Sequence, residues 1–127
     1  MKDSTLRQAA AMPNAANTTT TNTIDLHQQA LRPFTTQFRV RLANGVATGA
    51  NSKNVTYAVK ASNEANGANS VTVQSYVVAG NAANHPASAR ELYLPPELNK
   101  RYLFATATGE ADGGNAANGE FAVEIVI

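Results

Sequence analysis

Apolar and polar residues alternate with period two along most of this chain. Phe38, Val40 and Leu42 project one way, and Gln37, Arg39 and Arg41 the other, in a segment opened by Pro33. The same period puts Val55, Tyr57, Val59 and Ala61 on one side of a second segment, against Thr56, Ala58 and Lys60. Val71, Val73 and Val77 resume it, and Phe121, Val123, Ile125 and Ile127 close the chain beside Glu120, Ala122 and Glu124. Each segment predicts a strand with one buried face, and the last should pin the C-terminus in a sheet. Asn44-Gly45 supplies the left-handed conformations a tight turn demands. Asn66-Gly67 sits in the loop of an expected hairpin between residues 55–61 and 71–77.

From Leu92 to Thr108 two runs rich in aromatic and branched residues flank Pro95 and Pro96, which cannot donate to a ladder and so force a corner. The expectation is two neighbouring strands. Thr18 to Leu26, Thr-rich and ending in Ile24 and Leu26 around Asp25, reads as a first strand. Gly80 to Ser88, with His85-Pro86, reads as a loop. Residues 1–17 form an N-terminal arm, extended or briefly helical, in which Asp3 or Ser4 could cap two turns ending at Met12 before Pro13. Either it is a disordered tail or it orders against a partner. The tetrapeptide Asn-Ala-Ala-Asn recurs at Asn14, Asn81 and Asn115 with unrelated flanks, which marks loop composition rather than duplication. Seven or eight short strands and almost no helix predict an all-β fold, an antiparallel β-sandwich of the jelly-roll form over residues 18–127.

At 127 residues the chain is about one domain long, with a single core expected. Charged residues make up 15% and the formal charge is +1, without a dense Lys or Arg cluster, so no direct nucleic-acid partner is expected. The absence of cysteine removes disulfide, thiolate-zinc and redox chemistry. The N-terminus, with charges at Lys2, Asp3 and Arg7, lacks an uninterrupted apolar run of signal-peptide length, and no stretch has the composition of a membrane span. The chain is expected to stay in the compartment where it is made, with no membrane partner.

Candidate chemistry is sparse. His27 and His85 sit at no metal-ligand spacing and read as loop residues. Ser88, His85 and Asp25 could meet in space, but no nucleophile elbow surrounds a serine. Glu110, Asp112 and Asn115 cluster oxygens of the kind calcium takes, yet lack EF-hand spacing and suit a solvated loop. Glu91 and Glu97 flank the proline corner as surface carboxylates. No catalytic residue, metal ligand or cofactor is assigned, and the protein is expected not to be an enzyme.

Aromatic placement is more informative. Tyr93 falls opposite Leu92 and Leu94, and Tyr102 and Phe104 opposite Leu103 and Ala105, so both faces of this strand pair carry apolar material. Either a loop or the arm covers the second face, or Tyr93, Tyr102 and Phe104 lie in a contact between copies. Arg39 and Arg41 occupy a face that is either simply solvated or turned to an acidic partner.

Thr-Asn-Thr-Ile-Asp-Leu at Thr21 to Leu26, and Arg-Tyr-Leu-Phe at Arg101 to Phe104 after a proline-marked corner, resemble the small jelly-roll cement or decoration proteins of tailed-bacteriophage capsids. In that family the Ile-Asp-Leu stretch is usually followed by glycine, where this chain has His27. The resemblance implies a structural role: a homo-oligomer, dimer or trimer, made in the host cytoplasm, sits on the outer virion surface and bridges neighbouring major capsid subunits. No catalytic residues come with it. The competing reading is a receptor- or glycan-binding tip of a tail fibre or adhesin, against which the absence of Trp argues.

Overall fold

A computed structural model describes residues 6–26, 38–48, 54–80, 84–94, 100–111 and 116–126. The strands are β1 (Arg7–Ala11), β2 (Thr18–Thr20), β3 (Ile24–Asp25), β4 (Phe38–Asn44), β5 (Ala47–Thr48), β6 (Val55–Ser62), β7 (Val71–Val78), β8 (Asn84–His85), β9 (Ser88–Leu94), β10 (Tyr102–Gly109) and β11 (Glu120–Val126). One sheet has the order β1-β11-β4-β9, the other β2-β10-β6-β7 with β3 also on β10, and every pairing is antiparallel. Among the eight strands of these two four-strand paths, only β6 and β7 are consecutive neighbours in one sheet. Every other step crosses the sandwich, and that connectivity is a jelly roll.

The core lies between the sheets, where the period-two pattern predicts it. Val40 and Leu42 from β4, Tyr57 and Val59 from β6, Leu103 and Ala105 from β10, and Phe121 and Val123 from β11 are all buried in one cluster. The hairpin of β6 and β7 forms as expected, with Gly67 at φ 80° in its connection. The predicted first strand is present in two pieces. At the break, Thr21 turns its hydroxyl inward and accepts the Ala105 amide at 3.0 Å, while its own amide donates to the Ala105 carbonyl.

Five expectations change. Val71, Val73 and Val77 do not form one buried row: the register shift opposite Val59 and Lys60 breaks the alternation of β7, so that Tyr76 pairs with Tyr57 and is buried while Val71 and Val77 are 40% and 51% exposed. No helix runs to Met12; Arg7–Ala11 is instead β1, in register with β11 from Arg7↔Glu124 to Ala11↔Glu120, and Met12 is buried in the core cluster. Burial of Met12 and a complete ladder outweigh the helix preference of Gln-Ala-Ala-Ala. The runs flanking Pro95 and Pro96 are not neighbours: β9 pairs with β4 in one sheet and β10 with β2, β3 and β6 in the other. The prolines themselves lie outside the described residues.

Asn44-Gly45 adopts no left-handed conformation. Asn44 Nδ2 instead donates to the carbonyls of Gly45 and Pro86 at 2.9 Å each, and the chain continues into β5, which pairs with β8. His85 is not a surface loop residue but part of β8, 1% exposed. Of the remaining expectations, His27, Glu97, Asp112, Asn115 and Ile127 fall outside the described residues.

Candidate interaction surfaces

The two outer faces of the sandwich differ in chemistry because the outward positions of their strands differ. On the β2-β10-β6-β7 sheet the register sets Thr18, Thr108 and Thr56 side by side, and Thr20 beside Thr106 and Ala58. Thr18 and Thr108 share a hydrogen bond of 2.8 Å between their hydroxyls. Among the described residues of β2, β6, β7 and β10 the outward positions carry one charge, Lys60, while the pair of Asp25 and Arg101 lies at the β3 end of the same face.

The other face is ordered in rows across four strands. Arg7, Glu124, Arg41 and Glu91 are successive cross-strand neighbours, so charge alternates in sign across the whole sheet. Next to that row, Ala9, Ala122, Ala43 and Ala89 form a second one. Short side chains there leave a depression of about 390 Å³ between Arg7 and Arg41 on one side and Glu120 on the other. Arg41 Nη1 donates to Glu124 Oε1 at 3.3 Å, and Arg39 Nε lies 3.9 Å from Glu91 Oε2. Arg39 and Arg41 thus each lie beside a carboxylate of the same chain.

The structure does not bring the three predicted aromatics together. Tyr93, 58% exposed, stands on β9 beside Arg39 on the charged face. Tyr102 and Phe104 project from β10 on the opposite side of the sandwich. Phe104 is 5% exposed, because the β6–β7 connection lies on it: a Cβ at Gly67 would come within 3.2 Å of the ring. That connection is braced by Ser62, whose hydroxyl donates to the Ala68 carbonyl and accepts the Glu64 amide, and by Thr23 Oγ1 donating to the Ala65 carbonyl. Of the covers left open by the sequence, a loop accounts for Phe104.

The segments that carry the family resemblance do meet. Tyr102 pairs with Asp25 and Leu103 with Ile24 across β3 and β10, and the Leu26 amide donates to the Arg101 carbonyl at 2.8 Å. Arg101 grips Asp25 with both arms of its guanidinium, Nε to Oδ1 at 3.0 Å and Nη2 to Oδ2 at 2.9 Å. This hydrogen-bonded pair holds the Arg101 guanidinium still further toward its charged form. Arg101 also lies over the Tyr102 ring, 5.2 Å from its centroid. Nothing in the spacing of two segments so far apart in the chain announced this pair.

Ser88, His85 and Asp25 each have other engagements. Ser88 Oγ donates to Asn44 Oδ1 at 2.5 Å, Asp25 holds Arg101, and His85 Nε2 donates to the Val78 carbonyl at 3.3 Å. His85 packs edge-on against Tyr57, which in turn contacts Tyr76 and Phe121. Burial lowers the His85 pKa below its ordinary 6.5, partly offset by backbone carbonyls that accept from the ring. The folded protein therefore binds this proton less readily than the unfolded chain. His85 favours folding fully above about pH 6.5, and that contribution is lost as pH falls below 6.5 toward its folded pKa. The urea midpoint should fall between pH 7.5 and pH 5, and fall less in His85→Leu; equal falls in both proteins would assign the loss to other groups.

No family model and no curated protein matches the chain. Solved structures do share its fold. The PBSX exported protein XepA aligns with a TM-score of 0.56 at 16% identity over 92% of this chain, which spans about a third of that protein (34%). The Caldicellulosiruptor saccharolyticus module CBM27-1, solved with mannohexaose, aligns at 0.53 and 10% identity, covering 94% of this chain and 71% of the module. VP2 of the infectious bursal disease virus subviral particle aligns at 0.50 and 13% identity, covering 94% of this chain and 30% of VP2. At these identities the likeness is one of fold. Among the described residues no helix is long and apolar enough to cross a membrane.

Proposed function

We propose that this protein is a virion structural component that decorates a tailed-phage capsid from the outside and bridges neighbouring major capsid subunits. The observation that carries the reading is the junction of β3 with β10. There the two segments that resemble cement proteins form one unit, clamped by Asp25 and Arg101. The jelly-roll connectivity, shared in fold with a viral coat protein, supports the same reading. A stiff sandwich suits such work because binding to the assembled shell, and not to dispersed subunits, stabilises the shell by that difference in affinity. Tyr93, Arg39 and Arg41, on the charged face, are candidates for a contact with the shell or between copies, with Tyr102 on the opposite face and Phe104 beneath the loop there.

A second reading has its own observation. Tyr93 presents an exposed ring beside Arg39 and near Glu91, and the fold is shared with a module solved on a mannan oligosaccharide, so a glycan-binding tip is the alternative. The test mixes purified protein with expanded capsid shells and, separately, with dispersed capsid subunits and a glycan panel. Stoichiometric binding to shells alone, with DNA release moved to higher temperature, is the expected result. Failure to bind shells, with glycan binding that Tyr93→Ala abolishes, would replace the first reading by the second.

A further inference from the structure

We infer that the charged outer face of the β1-β11-β4-β9 sheet docks onto the same face of a second copy of this chain, about a two-fold axis lying in the interface and running nearly parallel to the strands. Reading across the sheet, Arg7, Glu124, Arg41 and Glu91 give plus, minus, plus, minus. A two-fold axis along the strands, midway between β11 and β4, reverses that order in the facing copy. Arg7 then meets Glu91 in both directions, both of them exposed, while Arg41 lies over the buried Glu124 that it already pairs with in its own chain, so no like charges face each other in this row. A two-fold axis perpendicular to the strands would set each charge against itself and is disfavoured by the same count.

The neighbouring row fits the same operation. Reversal lays Ala9 over Ala89 and Ala122 over Ala43, which lets the two sheets approach closely along a line where no long side chain intervenes. Arg7, Ala89 and Glu91 are exposed and Arg41 partly so, which leaves these positions open to a facing copy. Four strands at about 4.8 Å spacing and about six residues of rise give about 400 Å² per copy, or about 800 Å² for the pair, an interface at the weak end of the range. The dimer is accordingly weak, salt-sensitive and concentration-dependent. It does not rest on the capsid reading, and it moves the expected contact between copies from an aromatic row to a charged one.

Sedimentation velocity at low salt, over a series reaching about 200 µM, tests it. Wild-type protein should form dimers that dissociate as salt is added. Arg7→Glu sets Glu against Glu91, and Glu91→Arg sets Arg against Arg7, each twice per dimer, so either variant alone should weaken association about tenfold. Mixing the two variants should restore it, because in the mixed dimer residue 7 of each chain meets the opposite charge at residue 91 of the other. Both sites are exposed, and circular dichroism of each variant should match wild type. A wild-type protein that stays monomeric, a closed trimer, or a mixture that associates no better than its components would overturn the inference.

Discussion

Tyr57→Ala is expected to lower the stability of the domain by about 3–5 kcal/mol, while Tyr57→Phe should leave it unchanged or raise it slightly. The side chain is 0% exposed and stands where both sheets converge, with ring centroids at 5.7 Å from Tyr76, 5.8 Å from Phe121 and 6.1 Å from His85. Truncation removes contacts to three rings at once and leaves a cavity that strands held on both edges cannot collapse to fill. The phenol hydroxyl has no hydrogen-bond partner among the described residues, and burial raises its pKa, so it stays protonated. Phenylalanine keeps the ring contacts and removes the unpaired group. Urea denaturation of both variants checks the pair; a loss of more than about 1 kcal/mol in the phenylalanine variant would show that the hydroxyl has a partner.

Gly109→Ala should be the most damaging single-methyl addition, costing about 1–3 kcal/mol and toward the top of that range. A Cβ at Gly109 would overlap the Ala15 carbonyl oxygen, a clash that only backbone movement can relieve. Ala15 cannot yield easily. It already sits at φ 52°, inside a turn closed by the Asn17 amide and Asn17 Nδ2, both donating to the Asn14 carbonyl. Displacing the turn pulls on the bond from the Gly109 amide to the Asn17 carbonyl and on the β2–β10 pairing just after it. Thermal unfolding measures the loss, and faster hydrogen exchange at Gly109 and Thr108 would localise it. Unchanged stability would mean that the turn is not seated on Gly109.

The same turn shows where the sequence was and was not legible. Asn14-Ala15-Ala16-Asn17 reads as loop composition, which is correct as far as it goes, but its role as a seat for Gly109 depends on a strand far along the chain. The β4 alternation and the β6–β7 hairpin could be read directly, since side-chain period and an Asn-Gly turn are local properties. β1 could not, because Arg-Gln-Ala-Ala-Ala favours helix and becomes a strand only by pairing with β11. The Leu92 to Thr108 stretch was divided at the right place and assigned the wrong partners, for prolines tell a chain to leave a ladder and not which sheet it joins next. Tyr93 lies opposite Leu92 and Leu94, as the alternation predicts, and is exposed. Phe104 follows the same alternation, yet it is buried by a loop whose path is fixed by Ser62 and Thr23, interactions that no periodicity encodes.

The pairing of β1 with β11 joins the first described strand to the last. During synthesis Arg7–Ala11 has no ladder partner until β11 has emerged, so the sheet that carries the charged face closes late. The hairpin of β6 and β7 can form early from local contacts, whereas β1 waits for a loop closure that spans most of the sequence. Until then β4 lacks β11 on one edge and exposes an apolar inner row. Chains whose β11 has not yet emerged are thus open to edge pairing with one another.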